Sequence, residues 1–260
     1  MKEFFDKVER LPLESKNELF IGFRGNSKYF IKKYVVRKGR KEEDLNKIKR
    51  EIVCYNHLKL IQLPKLIKAS FKQRYLILEF VEFKNVEPSK LIVDKILDFY
   101  FTEIITIDPS FLPKVDFEYY EKSLFKSARQ LVELEFIRSL KPLIKRLEAN
   151  KKMINDASKY FSHGDLHLGN FKFLSGELTI TDFEHSRQDN LMYDLASLYI
   201  DLYHDKLLAE YFLKKINTNQ IFDELLFNLM IDRRCIEVLF GLQLNQDIQQ
   251  FRNAKTILRK

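Results

Sequence analysis

The sequence predicts an α+β fold in which a small N-terminal antiparallel sheet with one helix precedes a larger, mainly helical part. Residues 17–36 and 75–83 are β-rich and enclose a single helical stretch. After residue 88, apolar residues recur at helical spacing over most of the chain. The 260 residues, 45% of them hydrophobic, can bury a substantial core. We therefore predict two domains, residues 1–83 and 84–260, as two lobes around a cleft.

The N-terminal elements follow from local patterns. The segments NELFIGF and KYFIKKYVV flank Gly25 and Asn26, a dipeptide that suits a tight hairpin turn. The next segment, EEDLNKIKREIVCYNHLKLI, has its apolar residues at helical spacing and acidic residues near its start. The run YLILEFVEF, from Tyr75 to Phe83, is long and apolar enough for a central strand.

The C-terminal elements are mostly helices. Helical spacing extends from about residue 88 to residue 161, and we expect Pro142 to interrupt it. Two short strands, FKFL and LTITDFE, then join through a turn at Ser175 and Gly176. Helical spacing returns from Tyr193 onwards.

Composition argues against several classes of partner. The formal net charge is +8, but the lysines are spread along the chain and only residues 37–41 form a tight basic run, so we expect no nucleic-acid partner. No apolar run approaches the roughly 20 residues that span a bilayer, so we expect no stable membrane insertion. The first residues have no apolar core of a secretory signal, and we expect a cytoplasmic protein.

One polar segment has the residue types that phosphoryl transfer requires. Residues 163–170 read HGDLHLGN, and Asp182 follows the predicted hairpin. Phosphoryl transfer needs a carboxylate that orients the attacking hydroxyl, and oxygen ligands that hold Mg²⁺ against the nucleotide phosphates. Asp165 fits the first role, and Asn170 and Asp182 fit the second. Because the hairpin begins after Asn170 and ends before Asp182, both residues should lie at the same end of it.

The N-terminal sheet supplies candidates for nucleotide binding. Kinases place a strand lysine on the nucleotide phosphates and hold it with a helix glutamate. Strand alternation puts Lys32 and Lys33 on opposite faces. We favour Lys32, with Glu51 as its helical partner, and Lys33 stays an alternative. The segment from Glu79 to Val81 could offer backbone groups to the adenine edge.

The motifs HGDLHLGN, TDFE and YDLASL together resemble those of the aminoglycoside phosphotransferase and choline kinase family of small-molecule kinases. The resemblance extends from about residue 18 to residue 203. It implies a protein-kinase-like fold, with residues 1–83 as the nucleotide-binding lobe and residues 84–260 as the catalytic and substrate-binding lobe. By the same resemblance, Asp165 is the expected catalytic base, and Asn170 and Asp182 are the expected Mg²⁺ ligands. It also implies that Asp194 braces the catalytic loop and that His163 packs as scaffold.

The resemblance further implies an ATP-dependent phosphotransferase with an alcohol acceptor. The donor would be ATP or GTP, and the acceptor a hydroxyl of a small molecule such as a sugar, an amino alcohol or an aminoglycoside. The loop departs from the family pattern at Leu168, where proline is common.

Three alternatives compete with this hypothesis. A kinase of a protein, or of a lipid-linked or polysaccharide sugar, would use the same motif, but only eleven residues (183–193) separate Asp182 from Asp194, which is short for peptide docking. A non-catalytic nucleotide-binding module is disfavoured because Asp165, Asn170 and Asp182 are all present. A zinc hydrolase using His163, Asp165 and His167 would leave Lys32 and Glu51 unexplained.

Overall fold

The structure, a computed structural model, describes residues 4–12, 15–38, 41–59, 61–115, 117, 137–245 and 248–258. The chain divides into two compact units. Unit 1 is Met1–Val86 with Asn170–Ser186, and unit 2 is Glu87–Gly169 with Arg187–Lys260. The assignment of residues 1–83 and 84–260 to nucleotide-binding and catalytic domains stays a prediction about function.

Unit 1 contains a five-stranded antiparallel sheet and one helix. The strands are β1 (Lys7–Arg10), β2 (Glu18–Arg24), β3 (Ser27–Lys33), β4 (Leu66–Ser70) and β5 (Tyr75–Glu79), in the order β1-β2-β3-β5-β4, and the helix is α1 (Lys41–His57). The predicted α+β arrangement of an antiparallel sheet with one helix is confirmed.

Apolar side chains pack against both faces of the five-stranded sheet. Successive side chains of β3 point to opposite faces and so belong to different clusters. Ile31 packs with Phe5 and Ile77 on one face. Phe30 lies on the other face, in the cluster that contains Ile48 of α1 and Leu76 of β5. Lys32, two residues after Phe30, therefore shares the face that α1 covers.

A second small sheet of unit 1 consists of β6 (Lys84–Asn85), β8 (Phe171–Leu174) and β9 (Glu177–Ile180), in the order β6-β8-β9. The turn of the β8–β9 hairpin is formed by Ser175 and Gly176, as predicted. Both residues have positive φ, 53° and 94°, which is the backbone geometry of a two-residue type I′ turn. The turn explains why a glycine stands second in this dipeptide.

Unit 2 is mainly helical. Its helices are α2 (Lys90–Thr102), α3 (Ile137–Ala149), α4 (Lys151–Ala157), α5 (Leu191–Leu202), α6 (Lys206–Ile216), α7 (Glu224–Asn245) and α8 (Ile248–Ile257). Strands β7 (Ser158–Ser162) and β10 (Arg187–Asn190) pair antiparallel. In the described part of the chain, no helix combines the length and apolarity needed to cross a membrane.

Three local predictions need correction. The strand predicted over residues 75–83 ends at Glu79, because the paired register with β3 ends there, and among the described residues 80–83 only the N–H of Phe80 donates to β3, at the carbonyl of Lys28. Helix α3 continues through Pro142, which lies in its second turn. A proline there removes a single intrahelical hydrogen bond while the residues after it remain free to continue the helix. Strands β1, β4, β6, β7 and β10 were not predicted, and β7 begins inside the stretch that was predicted to be helical up to residue 161. Residue 116 and residues 118–136 of that stretch lie outside the described residues.

Candidate active site

Lys32 is the cation of a buried charged cluster in unit 1. Its Nζ lies 2.8 Å from Oε2 of Glu51 and 2.6 Å from Oδ1 of Asp182, and its side chain is 9% exposed. Glu51 lies on the face of α1 that also buries Ile48 and Cys54, one turn away on either side. The structure therefore brings together Lys32, Glu51 and Asp182, three of the residues that the sequence singled out.

The alternative lysine has a different partner. Lys33 Nζ lies 2.6 Å from Oε2 of Glu18, its cross-strand neighbour on β2, and its side chain is 43% exposed. The lysine that meets the helix glutamate is thus Lys32, as favoured from the sequence. The physical reason is the strand period of two residues, which turns Lys32 towards α1 and Lys33 away from it.

Glu184 is a further member of the cluster. It belongs to the short 3₁₀ turn Phe183–His185, which packs against α1 and places the ring of Phe183 against that of Tyr55. Its carboxylate lies 3.6 Å from Nζ of Lys32 and 3.4 Å from Nζ of Lys47. The motif TDFE contains Glu184 without indicating its role, and the structure gives this residue two lysine neighbours.

The charges in the cluster shift one another's pKa. Burial lowers the pKa of Lys32, but the carboxylates of Glu51, Asp182 and Glu184 outweigh it and hold that pKa above its usual range. Burial raises the pKa of Glu51 to about 7, although Lys32 opposes this. Burial also opposes ionisation of Glu184, yet His185, Lys32 and Lys47 lower its pKa well below the ordinary value. Lys32 is therefore a permanent cation at neutral pH.

Asn170 and Asp182 occupy the same end of the β8–β9 hairpin, as predicted. Asn170 directly precedes β8, Asp182 follows β9 by two residues, and the N–H of Thr181 donates to the carbonyl of Asn170 at 3.0 Å. Asp182 has left-handed backbone angles, φ 69° and ψ 62°, and its side chain is 46% exposed. A non-glycine residue held in this conformation costs of the order of 1 kcal/mol, and such strain often marks a functional position.

The predicted adenine-binding segment begins at Glu79, the last residue of β5. The N–H of Glu79 donates to the carbonyl of Lys65, and that of Phe80 to the carbonyl of Lys28. Within the described part of the chain, the backbone N–H and C=O of Val81 have no hydrogen-bond partner. The role of Glu79 and Val81 in nucleotide binding stays a prediction.

In unit 2, the loop with the HGD sequence is held by Asp194 at the start of α5. The buried carboxylate of Asp194 accepts from Oγ of Ser162 at 3.0 Å, from the N–H of His163 at 2.7 Å and from the N–H of Gly164 at 3.0 Å. The expectation that Asp194 braces this loop is confirmed. Gly164 has φ 80°, a conformation that explains the glycine of the motif.

Asp165 follows in this loop and pairs with an arginine that the sequence did not indicate. Nη2 of Arg234, on α7, donates to Oδ1 of Asp165 at 2.5 Å. The Asp165 side chain is 34% exposed, whereas that of Arg234 is 12% exposed. A partly exposed carboxylate with a buried cation next to it can accept a hydrogen bond from a substrate group.

Asp201 is a further contributor that the sequence did not indicate. Asp201, two turns after Asp194 on α5, accepts from the N–H of Leu168 at 2.8 Å. The family commonly has proline at this position, which has no N–H, so this hydrogen bond depends on the departure noted in the sequence. The helical spacing of Asp194 and Asp201 was a signal that could have indicated a second contact with the loop.

The zinc alternative finds no support. Among the described residues, the group of three potential ligands that lie within 4.8 Å of one another is Glu51, Asp182 and Glu184. His163 is fully buried, and Nδ1 of His167 accepts from the N–H of Gly169.

Comparison with known proteins decides the family. The sequence profile of the phosphotransferase enzyme family matches residues 21–223. The chain belongs to this family. No curated protein sequence matches this phosphotransferase at a significant level.

Solved structures share the fold of this phosphotransferase at low identity. Choline kinase LicA from Streptococcus pneumoniae is 19% identical with a TM-score of 0.67, and the match covers 99% of this chain and 95% of that chain. A thermostable mutant of aminoglycoside phosphotransferase APH(4)-Ia, in ternary complex with AMP-PNP and hygromycin B, is 12% identical with a TM-score of 0.71, and 98% and 94% of the two chains are covered. These matches confirm the predicted protein-kinase-like fold.

Proposed function

We propose that the protein transfers the γ-phosphoryl group of ATP or GTP to a hydroxyl of a small molecule such as a sugar, an amino alcohol or an aminoglycoside. The observation that carries the proposal is the buried ion pair of Lys32 with Glu51, which also includes Asp182 from the end of the β8–β9 hairpin. Kinases of this fold use a strand lysine, a helix glutamate and a metal-binding aspartate in this combination.

In the proposed mechanism, Lys32 steadies the α- and β-phosphates of the nucleotide. Glu51 fixes the ammonium from the helix side, so that the lysine is already positioned when the nucleotide arrives. The backbone of Glu79 and Val81 would bind the adenine edge. Solved complexes with AMP, with ADP and with AMP-PNP among proteins of similar fold support an adenine nucleotide as donor.

The donor set at the hairpin end fits Mg²⁺. Asn170 supplies an amide oxygen and Asp182 a carboxylate, and Mg²⁺ prefers hard oxygen ligands shared with substrate phosphates. These two residues would hold one or two Mg²⁺ ions. Bound Mg²⁺ would neutralise the negative charge on the β- and γ-phosphoryl oxygens. Asp182 is suited to this task because about half of its side chain is exposed, although one oxygen pairs with Lys32.

Asp165 acts as the catalytic base of the proposed reaction. Its carboxylate accepts a hydrogen bond from the acceptor hydroxyl and takes its proton as the oxygen attacks the γ-phosphorus in line. The bond between that phosphorus and the β–γ bridging oxygen breaks, and the nucleoside diphosphate leaves. Asp194 keeps the Asp165 loop in place through its contacts with His163 and Gly164.

A screen of ATP consumption tests the proposal. Pools of alcohols, sugars and aminoglycosides, including choline, hygromycin B and a macrolide, are incubated with Mg-ATP and the enzyme. Asp182→Ala serves as the blank, and products of positive pools are identified by mass spectrometry. We expect at least one pool to stimulate consumption above the blank.

Two outcomes would contradict the proposal. Asp165→Asn should abolish turnover while ADP affinity stays near that of the wild type, so near-normal turnover in this variant refutes the assigned base. If no pool stimulates ATP consumption above the blank, the result would favour a protein, a lipid-linked sugar or a polysaccharide as acceptor, or a non-catalytic nucleotide-binding module.

A further inference from the structure

A charged network in unit 2 leads from Asp165 into the core. Arg234 donates through Nη2 to Asp165 and through Nη1 to the hydroxyl of Tyr193 at 3.3 Å. That hydroxyl donates to Oε2 of Glu237 at 2.5 Å, and Oε2 lies 3.9 Å from Nη1 of Arg234. The guanidinium therefore has carboxylates on two sides and a phenol between them.

The inner part of the network holds Tyr193 in place. The guanidinium carbons of Arg187 and Arg233 lie 4.4 Å and 4.2 Å from the centroid of its ring. Both arginines also pair with Asp189, at 2.8 Å and 2.7 Å. Three arginines thus face three carboxylates (Asp165, Asp189 and Glu237), so the formal charges of the network balance.

The charged network and the hydrogen bonds that hold the HGD loop involve adjacent residues. Tyr193 and Asp194 are neighbours at the beginning of α5. Asp194 fixes the loop backbone at His163 and Gly164, whereas Tyr193 contacts Arg234, which fixes the side chain of Asp165. The backbone and the carboxylate are therefore held by independent contacts.

The exposure of the network favours a role beyond stability. The pairs of Arg187 and Arg233 with Asp189 are almost completely buried, as expected of a structural ion cluster. The Arg234–Asp165 pair lies at its edge, where the carboxylate is partly open to solvent. A carboxylate has about four lone-pair sites, and the solvent-exposed part of the Asp165 carboxylate can accept from a substrate hydroxyl while Arg234 donates to Oδ1.

We propose that Arg234 is a positioning residue that keeps the Asp165 carboxylate ionised and oriented towards the acceptor hydroxyl. This inference rests on the proposed function, because it assumes that Asp165 is the base. An adjacent guanidinium favours the charged form of a carboxylate by one to three pKa units, and its planar fork restrains the carboxylate's rotation. Among the residues that the structure describes, the charged or titratable groups near the pair include Tyr193, Glu237 and Cys235, and the pairs of Arg187 and Arg233 with Asp189 lie beyond Tyr193.

The test compares Arg234→Met, Arg234→Lys, Asp165→Asn and the exposed control Arg252→Met. Carbon-13 NMR of aspartate-labelled protein follows the titration of the Asp165 carboxyl, whose signal is assigned by its absence in Asp165→Asn. We expect this carboxyl to titrate at least about one pH unit higher in Arg234→Met than in the wild type. In Arg234→Lys the carboxyl should titrate close to its wild-type pH, because the lysine keeps the positive charge, and Arg252→Met should leave the titration unchanged.

Kinetics provide the second readout, with Mg-ATP and the acceptor found by the screen, or water if none is found. We expect Arg234→Met to lower kcat about 10- to 100-fold with little change in the nucleotide KM, and to move the acidic limb of the kcat/KM profile to higher pH. Arg234→Lys should regain the pH profile but only part of kcat, since it lacks the planar fork. ADP affinity and the circular dichroism spectrum establish that each variant is folded.

The outcomes separate this inference from the proposed function. Unchanged titration of Asp165 in Arg234→Met overturns the inference. So does wild-type kcat in Arg234→Met when Asp165→Asn is inactive. Wild-type turnover in Asp165→Asn overturns the proposed base itself, whatever the behaviour of the Arg234 variants.

Discussion

Replacing Lys32 by methionine should destabilise the protein far more than the same change at Lys33. Lys32 is buried among Glu51, Asp182 and Glu184, so Lys32→Met removes the cation that compensates a nearly inaccessible glutamate. Lys33→Met removes a partly exposed pair with Glu18. The two adjacent residues make a matched comparison, because each variant deletes one ammonium from the same strand.

The size of the effect follows from the geometry. At 2.8 Å and an effective dielectric constant near 20, the Lys32–Glu51 attraction is about 6 kcal/mol before desolvation is counted. Removing one partner of a buried pair typically costs about 3–5 kcal/mol. We expect the lower end of this range for Lys32→Met at pH 7, because the abandoned Glu51 can take up a proton. For Lys33→Met we expect little change.

The pH dependence of the stability loss in Lys32→Met identifies the burial of Glu51 without its cation as the cause. Burial already raises the pKa of Glu51 to about 7, and loss of Lys32 should raise it further. The folded Lys32→Met variant then binds more protons than its unfolded chain above about pH 4.5, so its stability falls as pH rises, by at most about 1.4 kcal/mol per unit. The free energy of unfolding of Lys32→Met should therefore fall further below that of the wild type at pH 8 than at pH 6.

Urea unfolding followed by circular dichroism at pH 6 and pH 8 measures these free energies. Glu51→Gln in the Lys32→Met background should abolish the extra pH dependence, because glutamine cannot titrate. Equal unfolding midpoints for Lys32→Met and Lys33→Met at both pH values would refute the reasoning. Turnover should fall at least about 100-fold in Lys32→Met and stay near wild type in Lys33→Met.

Three other perturbations have defined outcomes. Asp194→Asn turns an oxygen that accepts loop N–H groups into a donor, so we expect a loss of about 2–3 kcal/mol in urea unfolding and a 10- to 100-fold lower kcat. Because the folded-state pKa of Glu184 is lowered, its ionised form contributes stability above about pH 4.5 that is lost as pH falls below that value. The stability difference between wild type and Glu184→Gln should thus be larger at pH 6 than at pH 4. Leu168→Pro deletes the N–H that donates to Asp201, and we expect a cost of about 1 kcal/mol, seen as a thermal midpoint lower by a few degrees, without loss of the fold.

Much of unit 1 could be predicted because its signals are local. The two-residue period of β3 and the helical spacing of α1 place Lys32 and Glu51 on facing surfaces. The hairpin between Asn170 and Asp182 could be predicted because its Ser-Gly turn determines which residues return to the same end. Strands β1 and β4 could not be predicted, because exposed polar residues in each strand weaken the alternation of apolar and polar side chains.

The partners of Asp165 could not be predicted for a different reason. Arg233 and Arg234 are adjacent on α7, and the sequence does not indicate which one meets the loop. The rotation of α7 against α5 decides it: Arg233 pairs with Asp189, and Arg234 pairs with Asp165. Contacts of this kind depend on the packing of distant segments, for which a single sequence contains no motif.

The turn at Ser175 and Gly176 has a practical consequence. It is exposed, and it lies at the opposite end of the hairpin from Asn170 and Asp182. Both cysteines of the chain, Cys54 and Cys235, are buried with reduced thiols. A cysteine introduced at position 175 would therefore react selectively with a thiol-reactive fluorophore. The emission of this label could report nucleotide binding, and the proposed ligands Asn170 and Asp182 would stay unmodified.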